Sequence, residues 1–456
     1  MESLTILIAV AGSVLVLLLR PCYALCVYCA VMVCYPPFLT VPVGPVDFSV
    51  SRIMILPLLF NAIFLRKTVR ETKLDWVDGL VAMAFVGKAF GIAQTVPLGQ
   101  CLTGEGGVAF DTLLPYIATR CIIHTKKDLL TLFKALIITG IPLAIMGAYE
   151  TITGRNPVGF MVPYYGFGMA ERMRTVERFG LTRASVTFGN YINFGLFFAA
   201  LAPICLGLWK QRVWKMSVIL SCCAFLLLGA FSSISSAALF SLYISFAMLA
   251  CFPFRRYWPL MAGAGLGMIV FVECYSNRHA YEVLTRFALS PTTAYYRIGL
   301  FQEALGGGMD GHWLYGYGYV GIGPGNDNTN FHWEHQDITN IYIAKLVRGG
   351  LVALIPFLVL NVFYYRRLYE AYRSSRSPAD EWLVWCIAAA LVGWNVAMMT
   401  VAALELVNTL LHMLIAVCCG LPALVRREYR LSVSQRIARA VLPQRGVASI
   451  VGNHHA

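Results

Sequence analysis

Three short stretches of this 456-residue chain concentrate the residue types that do chemistry. The first, RTVERFGLTRASVTFGNYINFG at 174–195, sets Arg178 and Arg183 just ahead of an apolar run. A guanidinium presents a planar fork of donors that matches phosphate oxygens in pairs. Two of them at the edge of an apolar segment suit a pyrophosphate carried on a lipid. Arg172 and Arg174 lie close by, and pairing with Glu171, Glu177 or lipid headgroups accounts for them as readily. The second stretch is AYYRIGLFQEALGGGMDGHWLYGYGY at 294–319, where Arg297 opens a helical pattern that stops at Gly306, Gly307 and Gly308. A plain surface helix satisfies that pattern; so does a helix that turns Arg297 toward the cavity faced by Arg178. The third, NTNFHWEHQDITNIYIAKLVRGGL at 328–351, places His332, Glu334, His335 and Asp337 just before an apolar run starting near Asn340. HxEH lacks the i, i+4 one-face spacing of a zinc helix, so neither a metal nor another cofactor is expected. His335, Asp337 and Glu334 are instead candidates for a general base that takes a proton from a hydroxyl. A polar helix entry satisfied by water is the plain alternative.

Composition says what frame holds these groups. The chain is 58% apolar and 13% charged, against about 25% charged in a soluble domain, and its mean hydropathy is +0.67. Thirteen spans of about 20 residues would take roughly 260 residues, which is what 58% of 456 supplies. A soluble enzyme, a disulfide scaffold and a disordered chain are excluded. The apolar runs are continuous rather than alternating, which excludes an outer-membrane barrel. The expected class is all-α, a polytopic membrane helical bundle of 12 or 13 spans.

Those runs fall at about 3–19, 22–40, 50–65, 76–96, 108–123, 128–151, 186–209, 215–233, 236–252, 257–273, 340–364, 382–401 and 404–424. The net charge of +13 collects in every second connector, at Arg66/Lys67/Arg70/Lys73, Lys126/Lys127, Lys210/Arg212/Lys215, Arg255/Arg256, Arg366/Arg367/Arg373/Arg376 and Arg426/Arg427/Arg430. That is the positive-inside pattern, so nucleic acid is not an expected partner. By parity, 41–49, 97–107, 152–185 and 274–339 lie outside, and arginines there run against the topological bias. The start lacks a basic n-region, so the first span is expected to remain. Residues 1–425 form the membrane domain, and 426–456 a basic cytoplasmic tail suited to anionic lipid. Most of the 14 cysteines fall inside spans as small apolar residues; only Cys101 and Cys274 lie where a bridge is conceivable. Lys88 and Arg120 are ionisable groups within spans, the feature a transport pathway would use. No inverted repeat accompanies them, and the functional charge concentrates in the outer loops.

The order RFGLTRASVTFGNYINFG, FSSISSAALFSL, YYRIGLFQEAL…LYGYGYVGIG and TNIYIAKLVRGGL resembles the superfamily of O-antigen ligases and Wzy-type O-antigen polymerases over about residues 75–425. The resemblance implies a GT-C-like integral membrane glycosyltransferase of the bacterial inner membrane, with a large periplasmic loop before the last three spans. It implies a metal-independent, inverting transfer of a glycan from undecaprenyl pyrophosphate to a sugar hydroxyl. Arg178, Arg183 and Arg297 match the pyrophosphate-binding arginines by position. Its implied partners are the lipid-linked oligosaccharide, a glycan acceptor, membrane lipid, and a chain-length regulator and flippase of the same pathway. Two positions depart: many members have Ser-Arg at Ser235-Ser236, and ligases carry a catalytic histidine at Thr339. His335 lies one helical turn earlier and reaches the same space. The expected activity is therefore polymerase-like, with ligation onto lipid A core as the alternative and a flippase of lipid-linked sugars as the reading from another class.

Overall fold

Helix makes up 77% of the structure, a computed structural model that describes residues 2–44, 46–68, 72, 74–164, 176–277, 279, 280, 282, 291–319, 338–401 and 405–441. Helices α1 (Glu2–Leu18) and α2 (Pro21–Cys34) precede a hairpin, β1 (Thr40–Val43) and β2 (Val46–Ser49), and α3 (Val50–Phe60). Next come α4 (Trp76–Ala93), α5 (Leu98–Asp111), α6 (Leu113–Ile122), α7 (Lys126–Thr153) and a second hairpin, β3 (Glu177–Arg178) and β4 (Leu181–Thr182). Then follow α8 (Tyr191–Lys210), α9 (Met216–Ser232), α10 (Ser236–Ala250), α11 (Trp258–Tyr275) and α12 (Pro291–Leu305). The last are α13 (Ile341–Ser374), α14 (Pro378–Met398) and α15 (Glu405–Val441). Among the described residues, seven helical segments are long and apolar enough to cross a membrane, and five shorter apolar helices accompany them. The architecture is that of an all-α polytopic membrane protein. Its core holds Trp394, Phe133, Phe194, Phe197 and Phe198, all essentially inaccessible, while Leu7, Leu18 and Met268 face outward.

Local chemistry sets the helix ends. Thr125 and Asp128 form a reciprocal capping box at the start of α7, as Asp75 and Asp78 do for α4. The expected run 22–40 stops at Cys34, ahead of Pro36-Pro37. The expected run 108–123 is divided at Thr112 into α5 and α6. Pro115 explains the division, because it has no N–H for the carbonyl four residues back and its ring crowds that carbonyl. Segment 97–107, expected as an outer connector, is mostly helix α5, and its Glu105 is 3% exposed. Cys101 and Cys274 are both free thiols, so they do not bridge. α15 passes through 425–426 unbroken to Val441.

The two ends of the bundle differ. At one, the basic connectors are tied together by Lys126–Asp380, Arg367–Asp75 and Arg255–Glu381 ion pairs. At the other, Thr187 donates to the Val33 carbonyl (2.6 Å), and the Ala184 N–H to that of Ser232 (3.0 Å).

α13 is two helices joined at Gly350, whose backbone (φ 64°, ψ −165°) leaves helical geometry. The glycine-tyrosine segment fills the break. Tyr317 and Gly318 donate their N–H groups to Val347 and Arg348, and Leu351 and Val352 donate theirs to Trp313 and Leu314. Backbones approach so closely that a Cβ on Gly350 would stand 2.1 Å from the Leu314 carbonyl oxygen, and one on Gly316 2.5 Å from that of Val347. Gly350→Ala therefore combines a forbidden φ with a backbone clash, and we expect a loss of at least about 1–3 kcal/mol. Gly99→Ala, in an open position of α5, should leave stability unchanged or raise it, because alanine outranks glycine in helices. Thermal unfolding of both variants in one detergent checks this; equal melting would mean that the junction carries no strain.

Candidate functional site

Arg178 and Arg183 are mounted on the β3–β4 hairpin. Phe179 and Gly180 form its turn with φ of 57° and 74°, the primed geometry that suits strand twist. Arg178 lies opposite Leu181, and the Arg183 N–H bonds the Val176 carbonyl at 2.9 Å. The two-residue period of strands then puts Arg178, Leu181 and Arg183 on one face.

That face meets the turn between α9 and α10. Ile234 sits there at φ 42°, a position a β-branched residue occupies only under strain of about 1–3 kcal/mol. The Ser233 hydroxyl holds the turn by donating to the Ala230 carbonyl (2.7 Å) and accepting from the Ser235 N–H (3.3 Å). The carbonyls it presents are taken in order. Ser232 receives Ala184 N–H and the Thr151 hydroxyl, Ser233 receives Arg183 Nε (3.4 Å), and Ile234 receives Arg178 (3.3 Å). Glu150, 2% exposed, fixes the following loop by accepting the Ser185 and Val186 N–H groups and the Asn156 amide.

Arg297 arrives from α12. Leu300 and Ala304, three and seven residues on, share its face and are buried with Ile338, Ile343, Leu346 and Val347. This turns Arg297 inward to 7% exposure, so the surface-helix alternative does not hold. Arg183 is equally buried and lies over the Tyr191 ring, 3.3 Å from its centroid. Burial draws Arg297 down to about 10, with Arg178 adding to the shift. Burial likewise draws Arg183 down to about 10, opposed by Tyr191 and reinforced by Arg178 and Arg297. The three guanidinium groups thus sense one another. Among the described residues no carboxylate pairs with any of them, and Arg297 Nε has no hydrogen-bond partner.

His335, Asp337 and Glu334 lie outside the described residues, as do His332, Arg172, Arg174 and Glu171. The chain re-enters at Ile338, buried in the same small core as Leu300. Thr339 follows, its hydroxyl buried and unpartnered among the described residues. Asn340 then caps α13, accepting from Tyr342 and Ile343 N–H while donating to the Met399 carbonyl (2.7 Å). Ser235 and Ser236 adjoin the turn that holds the arginines, and Ser236 is 6% exposed.

Lys88 and Arg120 are neutralised: Lys88 pairs with Glu105 (2.9 Å) and Arg120 with Asp78 (2.7 Å). Sequence reading missed Tyr191, Glu150 and the turn carbonyls. A lone glutamate in an apolar run was the available signal for Glu150; a carbonyl leaves none. No protein-family model matches the chain, and no curated protein matches it.

Buried cations without counter-charge destabilise a fold unless something neutralises them. Inorganic pyrophosphate should therefore raise the melting temperature of the purified protein. At a hundred times its dissociation constant, a ligand specific to the folded state adds about 2.7 kcal/mol. The protection should be complete at pH 7–8, where Arg183 and Arg297 are charged, and fade as pH rises through about 10. Arg297→Gln should abolish most of it. Equal protection of the Arg297→Gln variant would detach the arginine from anion binding.

Proposed function

We propose that this chain is a membrane glycosyltransferase of cell-surface polysaccharide assembly, polymerase-like, acting on the periplasmic face of a bacterial inner membrane through a bundle of 12 or 13 spans. The observation that carries this reading is the grouping of Arg178, Arg183 and Arg297, without a paired carboxylate among the described residues, at the end of the bundle opposite the basic connectors. The positive-inside rule makes that end external, and three guanidinium groups at a membrane edge match a lipid-linked pyrophosphate. The ion-paired state of Lys88 and Arg120 weighs against a transport pathway through them.

In this mechanism an acceptor hydroxyl oxygen attacks the anomeric carbon of the donor from the face opposite the pyrophosphate. The bond from that carbon to the phosphate oxygen breaks, and its electron pair leaves with the undecaprenyl pyrophosphate. Arg178, Arg183 and Arg297 stabilise the charge growing on the departing group. The acceptor proton passes to His335, with Asp337 and Glu334 as the competing bases. Ile338 follows Asp337 directly and shares a core with the helix of Arg297, which supports placing acid–base chemistry beside the anion pocket.

The reading is tested by transfer from a purified undecaprenyl-pyrophosphate oligosaccharide in proteoliposomes. Lysine at each arginine position should lower the rate about 10²–10³-fold, the scale for losing one charge-stabilising donor. His335→Ala should lower it about 10²–10⁴-fold with donor still bound; a loss confined to Asp337→Asn would move the base to the aspartate. Full activity in all three lysine variants would overturn the donor site. In a background without accessible native cysteines, a cysteine at Asn326 should react with an impermeant reagent from outside and one at Ser434 should not, and the reverse pattern would invert the topology.

A further inference from the structure

A second chamber opens at the same end of the bundle, between the β1–β2 hairpin, α3, α5 and α15. Its volume is about 200 Å³ and it is lined by Asp47, Ser49, Ser51, Arg52, Asp111 and Thr409, below the roughly 300–1,000 Å³ of sites for drug-sized ligands and on the scale of a single sugar ring. It adjoins the arginine pocket: Phe38, on its wall, touches Gly189, and Thr187 bonds α2 one turn earlier.

Its charge argues against an anion. Arg52 is committed to Asp111, Nε to one carboxylate oxygen at 2.9 Å and a terminal nitrogen to the other. Asp47 supplies a further carboxylate that has no ion pair or hydrogen bond among the described residues. The rest of the lining is a mixture of acceptors and donor-acceptor hydroxyls, Ser49 and Ser51 bonded to each other at 3.0 Å, with Phe38 and Pro37 as an apolar wall. Carboxylates take hydrogens from hydroxyls, serines and threonines both give and take, and apolar walls cover C–H faces. A ring bearing several hydroxyls meets all three requirements. On the far side of Arg52 the wall turns apolar: a groove of about 210 Å³ is lined by Phe48, Leu102 and Phe110, with Leu102 64% exposed. A polar chamber beside an outward-opening apolar groove matches a saccharide on a lipid stem.

We infer that this chamber is a saccharide subsite that seats the acceptor glycan while the arginine pocket holds the donor pyrophosphate. The assignment of acceptor rests on the glycosyltransferase reading; the saccharide site does not. The protein in nanodiscs should show saturation-transfer NMR signals from at least one methyl glycoside of glucose, galactose, N-acetylglucosamine or rhamnose. Asp47→Asn should weaken that binding at least tenfold while retaining the wild-type melting temperature, and Thr409→Val should weaken it likewise. Arg297→Gln should keep glycoside binding and lose pyrophosphate protection. Octyl glycosides binding tighter than methyl glycosides would identify a lipid-linked glycan, and equal binding a free glycan end. Binding by none of the four sugars, or binding that both chamber variants retain, overturns the subsite. Lost pyrophosphate protection in the wild type, with glycoside binding intact, overturns the donor reading and leaves the chamber standing.

Discussion

A peptide group in hydrocarbon has no bulk water to turn to, so a helix crossing a bilayer breaks only where other protein groups or trapped water supply its partners. The junction at Gly350 meets that condition through residues 313–318, which take two carbonyls and supply two acceptors across the break. The docked segment is then secured from its other end by Tyr319, whose hydroxyl donates to Glu105, the same carboxylate that pairs with Lys88. One interior ion pair thereby fixes where the segment after α12 meets the bundle. Because Tyr317 and Met309 share a core with Leu300 and Ile338, the same docking sets the position of the helix that carries Arg297.

Charge is handled in two ways in this molecule. Among the described residues, Lys88, Arg120, Lys126, Arg255 and Arg367 each have a carboxylate within ion-pair distance. Arg178, Arg183 and Arg297 instead lean on carbonyl oxygens, an aromatic face and one another. Carbonyl dipoles and a ring quadrupole offset part of the desolvation cost of a guanidinium without cancelling its charge. The arrangement leaves two buried cations and a half-buried one with their charge uncancelled. Pairing them with glutamates would have given a more stable and chemically silent site.

Much of this was legible in the chain, and the misses share a cause. The α-helical membrane class followed from continuous apolar runs, and α12 ended at the three glycines where its pattern stopped. The inward face of Arg297 was also readable, since Leu300 and Ala304 fall on its side of the helix. An 11-residue segment of mixed polarity at 97–107 reads as a connector rather than as helix α5, and the partner that lets Glu105 be buried, Lys88, lies on another helix. The primed turn at Phe179-Gly180 carries no Asn-Gly or Asp-Gly signature, so the alignment of Arg178 with Arg183 was hidden. Acceptors made of backbone carbonyl leave no trace in residue identity.

The strain near the site has a consistent direction. Ile234 and Val186, both β-branched, sit at positive φ, and each belongs to a segment pinned from several sides. Such residues persist only where surrounding contacts over-determine them. Here those contacts come from Glu150, Thr151 and Ser233, and they aim three successive carbonyls at the hairpin that bears two arginines. A relaxed turn would let the guanidinium groups drift apart under their mutual repulsion. Holding them together before any anion arrives means that binding does not have to supply the ordering energy, which is the physical content of a preorganised site.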